Sequence, residues 1–218
     1  MKILNLYACL GGNRYKWDEV ADIDVTAVER DEELAKLYQE RFPGDKIIID
    51  DAHKYLIKHY QKFDFIWSSP PCPTHSRSRY WGIGRNGKNP VYPDMSLYQE
   101  IIFLKHHCDS KWVVENVKPY YDPLIPAEKR GRHLYWANFK IPNTISHREK
   151  DEVQRGKDEV KKLCAYHNYD FYKYKGKQRI NKIARNLVDY EAGKTILEVA
   201  IGIIKKQNPQ QTTIFDNK

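Results

Sequence analysis

Short runs of β-branched and aromatic residues alternate along the chain with stretches whose apolar positions recur every three or four residues. ILNLY at 3–7, VTAVE at 25–29, KIII at 46–49, FDFIW at 63–67 and WVVE at 112–115 have the length and composition of strands. The stretch 31–41 opens on acidic residues, sets Leu34, Leu37 and Tyr38 on one face and stops at Phe42-Pro43-Gly44. Ser96 to His107 carries Leu97, Ile101, Ile102 and Leu104 in the same way. Strand and helix alternation predicts an α/β fold: a Rossmann-like, doubly wound, mostly parallel sheet. Ligands of such sheets bind beyond the carboxyl ends of the strands, so chemistry is to be sought just after each run. Beyond Pro142 the pattern fades. It returns over 190–206 as a helix with Ile196, Val199, Ala200 and Ile203 on one side.

With 218 residues the chain is one domain with room for a small insertion. Hydrophobic residues at 41% and charged residues at 30% are globular values, and no apolar run approaches the roughly 20 residues of a membrane span. The opening MKILNLYACLGG reads as a first strand, with no leader cleavage site, so the mature chain is expected to be the whole chain. Cys9, Cys72, Cys108 and Cys164 lie far apart without a CxxC pair, which suits a reducing, cytoplasmic setting and no metal centre. Lys plus Arg number 37 against 29 Asp plus Glu, a net +8 that suits a polyanionic partner. Most of the excess lies in residues 143–186, with 12 basic against 6 acidic side chains and the aromatic cluster YHNYDFYKY.

The first strand runs into NLYACLGGN. Gly11 and Gly12 let the backbone bend sharply and approach a ligand with no Cβ in the way, and Glu29 closes the second strand where a carboxylate can accept two ribose hydroxyls. The spacing does not fit GxGxxG, which points away from a dinucleotide and toward a nucleoside cofactor without phosphates, such as S-adenosylmethionine. Asp51, after the third strand, reads either as acceptor for an adenine amino group or as N-cap of a helix over 52–59. The fourth run leads into SSPPCPTHSRSR, where three prolines hold Cys72 just past a strand end, beside His75, Arg77 and Arg79, which would favour the thiolate. WVVENV delivers Glu115 and Asn116 to the same edge, and a carboxylate opposite a thiol suggests covalent catalysis with acid assistance. The stretch 77–93 is long, basic and glycine-bearing. It reads as a lid whose Arg77, Arg79, Arg85 and Lys88 meet phosphates, or as a plain surface loop. Ser96 and Leu97 either border the cofactor or begin a helix, and His106 and His107 read as structural.

Taken in order, these segments resemble the DNA cytosine-5 methyltransferase family. LYACLGGN is similar to its cofactor loop, TAVERD to its ribose acid, IIDDAH to its adenine-contacting stretch, PPCPTHS to its nucleophile loop and ENV to its glutamate motif. EKRGRHLYW is similar to its strand with paired arginines and EAGKTILEVAIG to its closing helix, so the resemblance covers residues 1–140 and 188–204. It implies S-adenosylmethionine as cofactor, held by Tyr7, Ala8, Cys9, Gly11, Gly12, Glu29, Asp51, Ala52 and Pro70. It also implies that Cys72 adds to C6 of a cytosine flipped out of double-stranded DNA and that Glu115 bonds the base at N3. Arg132 and Arg130 would orient the base edge and Glu115, and Asn116 would hold the strand end in shape. Cys9 stands where the family has Gly, Pro73 where it has Gln and Lys194 where it has Asn; the first two departures suggest a divergent, phage-like branch, with or without a restriction partner.

The resemblance divides the chain into a catalytic part at 1–142, a reduced target-recognition region at 143–186, a rejoining helix at 187–206 and a tail at 207–218. In the tail, Gln211 to Phe215 resembles the peptide with which bacterial replication proteins dock on the sliding clamp; the plainer reading is an apolar tail packed on its own domain. The expected protein is a monomer. Two other functions compete: the same chemistry on RNA, and a catalytically silent DNA-binding relative. Intact Cys72, Glu115 and Arg132 argue against the silent one. Amino-directed methyltransferases are disfavoured because they place an aromatic residue, not Cys72, after the paired prolines.

Overall fold

The computed structural model describes residues 1–83, 89–143, 145 and 158–203. Five parallel strands form its frame: β1 (Lys2–Leu6), β2 (Asp24–Glu29), β3 (Lys46–Ile49), β4 (Phe65–Ser68) and β5 (Lys111–Val117). A hairpin of β6 (Glu128–Arg130) and β7 (His133–Ala137) completes the sheet in the order β3-β2-β1-β4-β5-β7-β6, with β7 antiparallel to β5. Arg130 and Arg132 had been expected on one strand. Gly131, at φ 55°, reverses the chain between them and sends the two arginines to different places.

Both faces of the sheet are covered, which is why β1 and β4 read as nearly unbroken apolar runs. On one face Leu4, Leu6, Ile66, Val114 and Leu134 pack against α2 (Ala52–His59) and α4 (Ser96–His107) through Leu56, Ile101 and Leu104. On the other Ile3, Phe65, Trp67, Val113 and Tyr135 pack against Trp17 and α7 (Tyr190–Ala200) through Ala192, Ile196 and Leu197. Because β1 is flanked by β2 on one side and β4 on the other, the strand order reverses there and a crevice opens at the carboxyl ends.

The helices begin where the capping residues say they should. Asp31 accepts from the N–H groups of Glu33 and Leu34 to start α1 (Glu32–Arg41), and Asp189 accepts from Glu191 and Ala192 to start α7. Two expected faces need correction. Ile102 is 53% exposed and the buried side of α4 is Leu97, Tyr98, Glu100, Ile101 and Leu104; α7 ends at Ala200, before Gly202 at φ 81°, leaving Ile203 57% exposed. The stretch expected as a lid begins with one helical turn, α3 (Arg77–Tyr80), fastened by the stacking of Tyr80 on Tyr120 at 4.9 Å and by a bridge between Ser76 and Pro119. Arg85 and Lys88 lie outside the described residues, as does the clamp-like segment from Gln211 to Phe215.

The basic region supplies α5 (Glu159–His167) and α6 (Ile180–Asn186), which pack onto the catalytic part. Leu163, Phe171, Ile183, Ala184 and Leu187 share a core with Leu10, Leu34 and Leu37. Arg41 clamps this junction by donating to the carbonyls of Leu10 and His167, both at 2.8 Å, and Gln178 and Tyr174 donate to Asp31 at 3.0 Å. Among the described residues no helix is long and apolar enough to cross a membrane.

Candidate active site

The crevice has two sides. On the first, the chain leaving β1 adopts left-handed backbone at Tyr7 (φ 57°), Cys9 (φ 49°) and Gly11 (φ 65°). A residue with a side chain is strained there by roughly 1–2 kcal/mol, so the turn persists because its surroundings over-determine it. The Ala8 N–H donates to the Val28 carbonyl at 3.0 Å and the Gly11 N–H to the Ala8 carbonyl at 2.8 Å. The Glu29 carboxylate receives the Cys9 N–H and the Asp31 N–H, each at 2.9 Å. Burial pushes Glu29 upward from the usual carboxylate range, and these two N–H bonds oppose it.

Gly11 and Gly12 do not clear space for a ligand, as their pairing had suggested. A Cβ on Gly11 would strike the rings of Phe42 and Tyr38, and one on Gly12 would strike the Val188 carbonyl, so protein atoms fill that space. The loop is wedged between α1 and the segment ahead of α7. Ala8, Ala52 and Pro70 are buried small or rigid residues that follow β1, β3 and β4. Asp51 caps α2 by accepting from the Lys54 N–H at 3.0 Å, as one of its two readings required.

Beneath this turn lies a carboxylate that the motifs did not single out. Glu100, 1% exposed, receives the Tyr7 hydroxyl, the Ser68 hydroxyl at 2.7 Å and the His53 imidazole at 3.0 Å, tying β1, β4, α2 and α4 together under the crevice. The bond to Glu100 raises His53 above its ordinary value, with partial burial opposing. Its signal was legible: a charged residue on the apolar face of Leu97, Ile101 and Leu104 must find partners inside.

On the second side stands Cys72, half-buried, in a loop closed by the His75 and Ser76 N–H groups, both donating to the Cys72 carbonyl at 3.0 Å. Asn116 donates to the Pro70 carbonyl at 2.9 Å and so fastens the start of this loop to β5. Burial pushes the thiol upward and the Glu115 charge pushes it further, while Lys182 on α6 and Arg132 in the hairpin turn pull it down. The expectation of a thiolate favoured by His75, Arg77 and Arg79 is therefore corrected. His75 is fully buried with Nδ1 2.6 Å from the Tyr121 hydroxyl, and burial lowers it toward the neutral form; Arg77 faces solvent. Lys182, exposed on α6, had no sequence signal, since nothing local connects it to residue 72.

Glu115 is 6% exposed at the carboxyl end of β5, within electrostatic reach of the thiol. His133 Nε2 lies 3.6 Å from its Oε1. Arg132 is exposed and donates to the Arg185 carbonyl at 3.3 Å, bridging the hairpin turn to α6. Arg130 instead donates to the carbonyls of Ile141, Pro142 and Lys129 and pairs with Glu128, all parts of its own hairpin and the strand exit. Cys72, Glu115 and Arg132 are thus brought together, and Arg130 is tied into the scaffold beside them. Arg79 lies with Arg77 on the one-turn helix α3 and is half-buried.

This sheet order, with its crevice at the point of reversal, defines a Rossmann-like fold of the S-adenosylmethionine-dependent methyltransferase class. The Entamoeba histolytica methyltransferase EhMeth superposes with a TM-score of 0.54 over 94% of this chain and 99% of its own, at 12% identity. Residues 1–123 match the model of the C-5 cytosine-specific DNA methylase family, and the chain belongs to that family. The Type II methyltransferases M.HgiBI and M.HgiCII of Herpetosiphon aurantiacus are each 26% identical over 125 residues, a match covering 56% of this chain and 27% of theirs. The chain thus spans about a quarter of the length of the curated relatives it matches.

Proposed function

We propose that the protein is a DNA cytosine-5 methyltransferase that uses S-adenosylmethionine and works through a covalent bond between Cys72 and C6 of an extruded cytosine. The reading rests on Glu115, at the carboxyl end of β5, and Arg132, in the hairpin turn, both acting electrostatically on the Cys72 thiol in the loop after β4. The cofactor suits the donor set on the other side. Glu29 keeps acceptor capacity for ribose hydroxyls beyond its two N–H bonds, Asp51 and Ala52 stand at the next strand end, and the 7–12 turn and Pro70 complete the wall. When bound, S-adenosylmethionine supplies an electrophilic methyl group.

Cytosine C5 is a poor nucleophile until sulfur adds at C6 and pushes electron density toward it. Glu115 then bonds N3 and offsets the charge that addition creates there. Lys182 and Arg132 ease ionisation of the thiol and attract the phosphates that flank it. Loss of the C5 proton and expulsion of Cys72 restore aromaticity. A stacked base cannot reach this pocket, so the target nucleotide leaves the duplex at a cost of a few kcal/mol. The basic residues of 143–186 serve as the readout module, and Arg77, Arg79, Arg85 and Lys88 as backbone contacts.

Tritiated S-adenosylmethionine offered with duplex DNA or with tRNA, followed by mapping of the modified base, tests the reading. Label at C5 of DNA cytosine, lost in Cys72→Ser, supports it; label in tRNA alone transfers the chemistry to RNA, and label on an exocyclic amine overturns it. We also propose that Gln211 to Phe215 docks on a sliding clamp. Retention of the intact chain by a clamp column, abolished by Ile214→Ala with Phe215→Ala, is the expected result, and no retention overturns it.

A further inference from the structure

We propose that His133 is the positioning residue of the pyrimidine pocket: through Glu115 it aims the carboxyl group at the ring nitrogen and stores the proton that nitrogen takes up. The inference rests on the cytosine-5 reading above. Its basis is the antiparallel register of β5 and β7, which sets Glu115 opposite Tyr135 and Val117 opposite His133, so Glu115 and His133 are diagonal neighbours on one face. Their side chains are 8% and 13% exposed and their polar atoms lie 3.6 Å apart, where water screens the interaction weakly.

The groups around the pair come from every side. Cys72 faces Glu115 from the loop after β4, Tyr135 lies beside it on β7, Arg132 stands in the hairpin turn and Lys182 on α6. Asp189 and Arg130 reach Tyr135 from α7 and β6. Burial raises both the thiol and the phenol above their ordinary values. An imidazole, with an ordinary value near 6.5, is the side chain suited to exchanging a proton close to neutrality. A carboxyl group near 4.3 by itself holds almost none there.

The proton balance is as follows. The Cys72 thiol first gives its proton to solvent, a loss eased by Lys182 and Arg132, and its sulfur then bonds to C6; the C5–C6 π pair moves to C4–C5 and the C4–N3 π pair to N3. N3 takes a proton from Glu115, which takes one from the His133 imidazolium. The C4–C5 pair then bonds the methyl carbon as that carbon's bond to the sulfonium sulfur breaks, and the N3 pair returns to C4–N3; C5 next gives its proton to solvent, the freed pair re-forms C5–C6 as sulfur leaves, and the N3 proton returns through Glu115 to His133. Nothing outside the pocket is consumed in charging N3.

The test is single-turnover methyl transfer from tritiated S-adenosylmethionine to duplex DNA, from about pH 6 to about pH 9, for wild type, His133→Gln and His133→Asn. These variants keep a hydrogen-bonding side chain and remove the ionisation. Both should lower the rate on the order of tenfold to a hundredfold and move its alkaline fall to lower pH, with S-adenosylhomocysteine binding and melting temperature unchanged. An active wild type with an unaltered pH profile in His133→Gln overturns the role of His133 alone. Loss of the cooperative melting transition in both variants shows a purely structural residue and overturns it as well. A wild type without Cys72-dependent transfer to DNA overturns the parent reading, and this inference with it.

Discussion

The two sides of the crevice hold their carboxylates by different means. On the β2 side Glu29 is gripped by backbone: two N–H groups from the neighbouring turn and helix start point at its oxygens, and strained left-handed residues hold that turn in place. On the β5 side Glu115 has side chains about it: His133 lies 3.6 Å away, and Tyr135 and Cys72 both feel its charge, the thiol feeling Arg132 and Lys182 as well. Backbone amides do not titrate and scarcely move, so the first arrangement is a fixed receptacle. The second is made of groups whose charges depend on one another, which suits a site where bonds form and break. Under the proposed function, binding and chemistry are thereby separated along a single sheet edge.

The sharpest way to break this division is Cys72→Ser. Methyl transfer should fall by at least about a thousandfold while S-adenosylmethionine affinity, measured by calorimetry, stays within about twofold, because the Cys72 side chain is not among the groups expected to hold the cofactor. Glu29→Ala should do the reverse. Loss of a charged acceptor for two hydroxyls weakens cofactor binding on the order of tenfold to a hundredfold, with DNA retention unchanged at saturating cofactor.

Stability probes sharpen the contrast. Gly12→Ala and Gly193→Ala would force a Cβ against the carbonyls of Val188 and Asn13, and each should destabilise by about 2–3 kcal/mol, read as a fall in melting temperature of roughly 5–10 °C. An unchanged melting curve would mean the cofactor turn is not wedged as described. On the chemical side the thiol of Cys72 is raised, so its alkylation by iodoacetamide should climb at higher pH than for cysteine in solution. Lys182 lowers that value, so Lys182→Gln should move the climb to still higher pH, by a few-fold in rate at a given pH. A shift in the opposite direction would remove Lys182 from the pocket. The smallest effect is expected from Arg77→Gln with Arg79→Gln, which should flatten the slope of log affinity for DNA against log salt by about 2 if both arginines meet phosphates.

Much of the receptacle side could be read in advance. A strand, a turn rich in glycine and an acid ending the next strand are contiguous in sequence, so Glu29, Asp51 and the helix starts at Asp31 and Asp51 were visible before any contact was known. The reactive side was legible as types but not as partners. Cys72 between prolines and Glu115 at a strand end stood out, whereas the approach of His133 to Glu115 needs the register of an antiparallel hairpin turned by Gly131. The cationic neighbours were assigned to residues 75–79 because they are close in sequence; burial of His75 against Tyr121 removes it, and the approach of α6 supplies Lys182 instead.

The division follows from range. Hydrophobic periodicity and capping act over a few residues, so the order of strands and helices, the doubly wound sheet and the place of Cys72 just past a strand end were decided by the chain's own local pattern. Charge acts through space and burial, so which cations face the thiol, where the space beside Gly11 and Gly12 goes, and how Glu100 is satisfied were decided when distant segments packed together.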